Sequence, residues 1–528
     1  MATMTKNMDT SNSCVPNAAN ESAIFSCPPN QPSPIGASVH GTTQTVVITR
    51  VYWREPMLRI SNLEVNRGSR TVLDGLELQV SSGDILILEG TNGSGKSSLI
   101  EACAGILPLT EGKVEWMTST GEWSTIRDSE GRRARPPLMG LTLQSDGICG
   151  EETVEERLTT SIEIFGLIKS EEEFTAMLSD WGLDHRRGDR VSQLSGGLRR
   201  RLSVLSGLAP VALSETPSVA LLDEPSEGLD SVARTTLSNW IGELSSRGHA
   251  IVMATHDQEF ISKSTRIVTI ESGSISERPG EGNNDSAKLP GPSTAVDPSP
   301  ILSLAKWAFR MEKRNPIDTI GRLTPALVAL LLSYSLVEGI DIPRTTTFST
   351  HFGSDLIAAL VLAPAFITAV VSPALARRLS EEGCGRWWAA MLGPMARPAN
   401  SVISASIILP LPLTYVSWFV LSGSVPTETS DEVLKWLWLP AIALIDVSCA
   451  ASALHLMVSD LRRSSAVAAS LLLVVLVWPF IELMDALSVL MTSGMSLDLE
   501  IGSPLSSCII ASLTAAMVWA VAVFLPEY

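Results

Sequence analysis

The sequence predicts an α/β domain built on a largely parallel sheet, followed by an all-α domain of about six transmembrane helices. Three observations lead there. Short apolar strands alternate with helical patterns up to about residue 275. One of those strands runs straight into a glycine-rich loop that opens a helix. Beyond about residue 320 the chain carries apolar runs of the length a bilayer requires.

A chain of 528 residues is too long for one ordinary domain. Hydrophobic residues make up 45% and charged residues only 18%, against about 25% charged in a soluble domain. Mean hydropathy is +0.23. The net charge of −17 argues against a nucleic-acid partner, which calls for a basic face. The seven cysteines (Cys14, Cys27, Cys103, Cys149, Cys384, Cys449, Cys508) are scattered singly. With no CxxC pair, a zinc or thioredoxin-like motif is not expected, and a cytosolic redox setting is the default.

Four regions are expected. Residues 1–40, rich in Ser, Asn, Thr and Pro, lack the basic start and apolar stretch of a signal peptide and read as a disordered tail. Residues 41–275 form the α/β domain. Residues 276–300, rich in Gly, Ser, Pro and Asn, form a flexible linker, and 301–528 the transmembrane domain. Within the α/β region, apolar residues alternate over Leu58–Val65 and Leu76–Val80. Asp84–Glu89, Val219–Leu222 and Ala250–Ala254 read as buried strands.

The loop after Glu89 carries Gly90, Thr91, Asn92, Gly93, Ser94, Gly95, Lys96 and Ser97, with Ser98 next. This is G-x-x-x-x-G-K-[ST] between a strand and a helix, so the α/β class is that of a P-loop NTPase. The glycines let backbone N–H groups wrap phosphates, and the helix N-terminus adds partial positive charge. Lys96 then reaches the β/γ-phosphates and Ser97 ligates Mg²⁺. Downstream, an apolar strand ends in Asp223 and Glu224. Asp223 is the expected Mg²⁺ holder and Glu224 the general base that polarises water. ATP and Mg²⁺ are the cofactors implied.

Leu194-Ser195-Gly196-Gly197-Leu198-Arg199-Arg200 resembles the signature motif of ABC transporters. The resemblance covers about residues 57–275. It implies that Ser195, Gly196 and Gly197 open a helix whose N-terminus caps the γ-phosphate of ATP on an opposite subunit. It makes Gln144 the glutamine that senses the γ-phosphate and Mg²⁺ and touches the membrane domain. It assigns Asp230, in Gly228-Leu229-Asp230, to the D-loop, and His256 to the switch histidine. The family often stacks adenine on an aromatic residue after the first strand. Here Asn66–Arg70 has none, which leaves Arg67 or apolar contact. The arginine-rich stretch 118–137 reads as an extended hairpin insertion, a solvated loop.

Six spans are expected at about 323–339, 354–376, 400–422, 435–459, 465–486 and 505–525. With the ATPase domain cytosolic, the inner segments hold Arg310, Lys313, Arg314, Arg322, Arg377, Arg378, Arg386, Arg397, Arg462 and Arg463, whereas the outer loops hold Arg344 and mostly acidic residues. That is the positive-inside pattern. The inner loop 377–398 carries Trp387, Trp388 and Met391 on a short helix. Two readings stand: a coupling helix that fits the groove beside Gln144, or an aromatic anchor at the lipid headgroups. Asp446, in mid-span, is expected to face a cavity or a partner. His455 is either a metal or haem ligand or a helix-to-helix hydrogen bonder.

The membrane half is similar to the membrane subunit of the cytochrome c maturation (haem exporter) system. Trp307, Arg310, Glu312 and Arg314 resemble that subunit's opening segment, and Glu381-Glu382-Gly383 with Met391-Leu392-Gly393-Pro394 resemble its later elements. Gly140–Gln144 and Glu152–Leu158 are similar to the matching ATPase subunit. Trp387 and Trp388 depart from the family's usual pair, and the fusion of both halves in one chain is also a departure. The resemblance implies haem export or release of a haem chaperone, with haem-handling membrane proteins as partners. A general ABC-2 type exporter of a drug, lipid or glycan is the alternative. A ribosome-associated ABC protein, with two ATPase halves and no spans, does not fit. One P-loop and one signature per chain imply a homodimer through the ATPase domains. The expected setting is the cell membrane, multi-pass in the lipid bilayer, with the ATPase domain cytoplasmic.

Overall fold

The computed structural model describes residues 55–282, 289–293, 296–339, 384–404, 501 and 503–524, with isolated helical residues between 359 and 485. Two sheets organise the first half. An antiparallel sheet in the order β2-β1-β4-β5 joins β1 (Pro56–Arg67), β2 (Arg70–Ser81), β4 (Glu111–Met117) and β5 (Trp123–Asp128). The second sheet runs β10-β9-β3-β8-β7-β6. Its members are β3 (Ile85–Glu89), β6 (Met139–Thr142), β7 (Val219–Asp223), β8 (Ala250–Ala254), β9 (Arg266–Glu271) and β10 (Ser274–Pro279). β9, β3, β8, β7 and β6 are parallel, and β10 pairs antiparallel at the edge.

The sequence pattern accounts for this division. In β2 exposed and buried residues alternate, as in a half-solvated sheet. β7 and β8 are buried at every position, as central strands covered on both faces must be. α1 (Lys96–Cys103) packs on β7 and β8, and α5 (Ser231–Ser246) on β8. α4 (Gly196–Ala212) packs on β6 and β7. α4 comes unusually close to β6. A Cβ on Gly207 would fall 2.2 Å from Thr142 Oγ1, and one on Gly140 2.4 Å from the Gly207 carbonyl. Two glycines thus set how deeply α4 seats.

α2 (Val154–Glu163) and α3 (Glu171–Asp180) each begin with a capping box, Thr153 with Glu156 and Ser170 with Glu173. α6 (Gln258–Lys263) follows β8. The stretch read as a linker begins inside β10, and its later part lies on the α/β domain. Arg247 donates to the carbonyls of Leu289 and Pro290. Ser293 N–H bonds the Leu213 carbonyl, and Val296 N–H the Gly166 carbonyl, each at 2.8 Å.

The second half contains α7 (Pro300–Arg314), α8 (Pro316–Gly339), α9 (Gly385–Leu392), α10 (Ala396–Ser404) and α11 (Pro504–Phe524). The first expected span falls in α8 and the last in α11. The spans expected at 354–376, 400–422, 435–459 and 465–486, with His455, lie mostly or wholly outside the described residues. Among the described residues no helix is long and apolar enough to cross a membrane. Asp446 is buried and accepts a 2.8 Å hydrogen bond from Ser512 Oγ on α11. It has the partner its position called for.

Candidate functional site

The loop from β3 to α1 builds the phosphate cradle. Gly90 has φ 148°, and a Cβ there would meet Ser94 Oγ at 2.5 Å and the Ile270 carbonyl at 2.6 Å. Only glycine fits that corner. Thr91, Asn92 and Gly93 are exposed at the loop's crest, and Ser94 is half-buried. Gly95 caps α1 with φ 115°. Lys96 is buried and folds back, donating to the carbonyls of Gly90 at 2.7 Å and Thr91 at 3.3 Å. Its ammonium therefore lies across the loop where phosphate oxygens would enter. Ser97 is half-buried and Ser98 buried beneath the loop.

β7 delivers the acids. Asp223 is 3% exposed; burial raises its carboxyl pKa, opposed by a hydrogen bond from Ser97. Its Oδ1 has no hydrogen-bond partner. A buried orphan carboxylate oxygen beside a serine hydroxyl is a hard-oxygen pair of the kind that would hold a Mg²⁺ ion. Glu224 adopts φ 46°, rare for a non-glycine residue. Burial raises its carboxyl pKa as well, opposed by His256 and Lys96. Glu224 Oε1 stands 3.5 Å from His256 Nε2. P-loop, Asp223, Glu224 and His256 thus meet at the C-terminal ends of parallel strands, where open α/β sheets bind ligands.

A second group gathers around Gly228. Ser195 caps α4, accepting from Leu198 N–H at 3.3 Å, and is exposed with Gly196. A Cβ on Gly197 would lie 3.4 Å from the Gly228 carbonyl. The α4 N-terminus is therefore an open, positively polarised end. Asp230 caps α5 through Ala233 N–H at 3.0 Å and pairs with Arg201 of α4. Its carboxylate holds the two helices together. Gln144 is exposed on the loop after β6.

α9 lies against this domain beside the Gln144 loop; a Cβ on Gly147 would be 3.6 Å from Trp387 Cβ. Trp387 and Trp388 are buried. Arg157 stacks 3.9 Å over the Trp387 ring, and Trp307 of α7 packs on Trp388 at 5.5 Å between centroids. The segment is thus packed on the α/β domain through both tryptophans. The hairpin at 118–137 has a use that sequence reasoning missed. Arg133 donates to the Ala389 carbonyl at 3.0 Å and Arg135 to the Met391 carbonyl at 2.8 Å. Both carbonyls belong to the last turn of α9, whose negative end attracts cations; the Ala389 carbonyl also accepts from the Gly393 N–H. Arg127 is buried as well, so the stretch is not a solvated loop. Arg386 of α9 and Arg67 of β1 both bond Glu101 on α1, at 2.7 and 2.5 Å. Arg67, left as an adenine contact by the sequence, has a carboxylate partner here.

A P-loop opening a helix, paired acids at the end of a strand two places along the same sheet and a histidine facing the second acid define a nucleoside-triphosphate hydrolase of the parallel-sheet class. The relatives narrow this further. Residues 73–227 match the family described as ABC transporter. A putative ABC transporter ATP-binding protein of Halobacterium salinarum is 32% identical over 232 residues, which is 42% of this chain and 92% of that protein. The chain belongs to the ABC transporter ATP-binding proteins, and its first half is an ABC-type ATPase domain that binds ATP. The macrolide export ATP-binding/permease protein MacB of Wolinella succinogenes is 29% identical over 266 residues, 49% of this chain. The match spans only 40% of that exporter's length. A dimeric bacterial ABC transporter cassette of known structure has 21% identity and a TM-score of 0.35, covering 42% of this chain and 98% of that cassette.

Proposed function

We propose that the chain is an ATP-driven ABC exporter whose ATPase and membrane halves are fused, working as a homodimer in a cell membrane with its ATPase domain cytoplasmic. The observation that carries this is α9 seated on the ATPase domain beside the Gln144 loop. It gives the domain a grip on the same chain's apolar half. That half is proposed to be an all-α domain of six spans, on the strength of its apolar runs and positive-inside pattern. Exposed Ile509, Ile510, Leu513, Met517 and Val521 on α11 suit a lipid contact.

In this reading Gly90 to Ser98 hold the ATP phosphates, with Lys96 turning from the loop carbonyls to the β/γ oxygens. Ser97, Asp223 and Gln144 would hold Mg²⁺, which when bound would offset charge on the phosphates. Glu224 accepts the proton of the attacking water, and His256 steadies the γ-phosphate. Ser195, Gly196, Gly197 and Asp230 form the surface offered to the partner's nucleotide. The chain has one P-loop and one signature, in two separate groups, so each complete site draws on two subunits.

The test is the ATPase rate of the purified full chain in lipid discs, for wild type and Glu224→Gln. Wild type should turn over, and the variant should bind ATP and stall as a dimer. Normal turnover by Glu224→Gln would remove that residue as base, and a monomer with full activity would remove the shared site.

The finer proposal is haem export or haem-chaperone release in cytochrome c maturation, supported by the resemblance at Trp307, Arg310, Glu312 and Arg314. In the structure Arg314 bonds Glu156 at 2.7 Å and Arg310 bonds Thr160 at 3.2 Å, so these residues seat α7 on α2. Stimulation of the ATPase by haem or a haem-chaperone domain supports the finer reading. A sound basal rate indifferent to both supports the general exporter, in line with the macrolide exporters among the relatives.

A further inference from the structure

Arg200 sits one turn into α4 and is 5% exposed. Its guanidinium reaches four acceptors on two other segments. Nη1 donates to the Leu143 carbonyl at 2.9 Å and to Asp146 Oδ1 at 3.4 Å, both on the loop that carries Gln144. Nη2 donates to the Asp223 carbonyl at 2.9 Å and the Glu224 carbonyl at 2.7 Å. A buried arginine bound mainly to backbone carbonyls fixes the course of the chain through a planar, rigid fork.

That matters most at Glu224. A glutamate at φ 46° is strained and persists only when its surroundings over-determine it. Three bonds do so here. Glu224 N–H donates to the Ala254 carbonyl at 2.9 Å, and the Glu224 carbonyl accepts from Glu227 N–H at 3.1 Å and from Arg200. Arg200 supplies the charged one, and it comes from the helix whose N-terminus is Ser195.

We propose that Arg200 is a positioning residue: it holds the backbone of Glu224 in the left-handed conformation that aims its carboxylate, and it links that aim to the signature helix and the Gln144 loop. Movement of α4 when a partner's nucleotide meets Ser195 reaches both through one guanidinium. This rests on Glu224 as the base.

The experiment uses the full chain in lipid discs, with Arg200→Gln and Arg200→Lys made alone and combined with Glu224→Gln. ATP turnover, KM for ATP, affinity for a fluorescent ATP analogue and melting temperature are measured. Arg200→Gln should lower kcat about 10²-fold, the scale of a 1 Å misplacement at a reacting centre, with KM within about threefold. Arg200→Lys, keeping a charged donor, should recover part of the loss. The combined Arg200→Gln and Glu224→Gln variant should be no slower than Glu224→Gln alone, because both changes remove one function. The proposal is overturned by a folded Arg200→Gln with near-normal kcat, by a loss confined to KM, or by full additivity with Glu224→Gln. If Arg200→Gln does not fold, Arg200→Lys decides by the same criteria. Failure of the underlying reading looks different, since Glu224→Gln alone would then turn over normally.

Discussion

The guanidinium of Arg157 lies 3.9 Å from the centroid of the Trp387 ring, and both side chains are buried. A desolvated cation–π contact of this kind contributes about 2 kcal/mol. It joins α2 of the ATPase domain to α9. Behind it Glu152, also buried, offsets the arginine's charge. Arg157→Met should therefore loosen α9 without dismantling the nucleotide site. Amide exchange across 386–392 should speed up by about 30-fold, the equivalent of about 2 kcal/mol, while ATP affinity stays near normal. Unchanged exchange in that segment would show that the stack does not hold the helix.

The arginines of the hairpin give a second expectation. Arg133 and Arg135 close the last turn of α9 through its carbonyls. Replacing both with methionine keeps most of the apolar stem and removes the donors. Each lost bond between a charged donor and a carbonyl should cost about 1.5–3 kcal/mol. The double variant should retain basal ATPase but lose its response to transported substrate. A variant that keeps a full response would leave the hairpin as packing only.

What could be read from the sequence followed from local constraint. The P-loop, the acids at Asp223 and Glu224, and the strands at 84–89, 219–222 and 250–254 are contiguous patterns, so each announces itself. Trp387 and Trp388 stood out because two adjacent tryptophans in a basic stretch call for burial, and both are buried. Arg200, Arg133, Arg135 and Glu101 did not stand out. The arginines' partners are mainly backbone carbonyls and those of Glu101 are Arg67 and Arg386, at separations such as 57 residues for Arg200 to Leu143, 256 for Arg133 to Ala389 and 285 for Arg386 to Glu101. A carbonyl acceptor leaves no mark on residue identity. The one available signal was a cluster of arginines in an acidic chain, and charge alone did not say what it would meet.

His256 faces Glu224 across 3.5 Å and is about half exposed, open to an incoming phosphate. His256→Ala should lower kcat about 10²–10³-fold, the range for loss of one donor to transition-state charge. ATP binding should persist, since the P-loop remains. Single-turnover measurements with excess protein separate the two steps. A change in binding alone would place His256 outside the chemistry.

Metal removal tests the donor pair at Asp223 and Ser97. Chelation with EDTA should abolish hydrolysis, and added Mg²⁺ should restore it. Asp223→Asn keeps the side chain's size but weakens the hard-oxygen donor. It should raise the Mg²⁺ concentration for half-maximal rate by at least about tenfold. A variant with an unaltered Mg²⁺ requirement would assign the ion to other groups.

His249 provides a pH test remote from the chemistry. It is 2% exposed between α5 and β8, and its Nδ1 accepts a 3.1 Å hydrogen bond from Ser218 N–H. Burial, with Arg247 nearby, holds its pKa down at about 4, from an ordinary 6.5. The folded state thus refuses a proton that the unfolded state takes. Above pH 6.5 both states leave the ring neutral and its contribution to stability is fully present. As pH falls from 6.5 towards 4 the unfolded state binds more protons, and stability drops by about 1.4 kcal/mol per pH unit, roughly 3 kcal/mol in all. Below about 4 the folded state is protonated too and the loss levels off. His249→Asn keeps an acceptor for Ser218 N–H but does not titrate in this range. Thermal melts of the full chain should show the wild-type ATPase domain losing more between pH 7 and pH 5 than the variant does. Equal losses would mean that carboxylates elsewhere, rather than this imidazole, set the acid sensitivity of the fold.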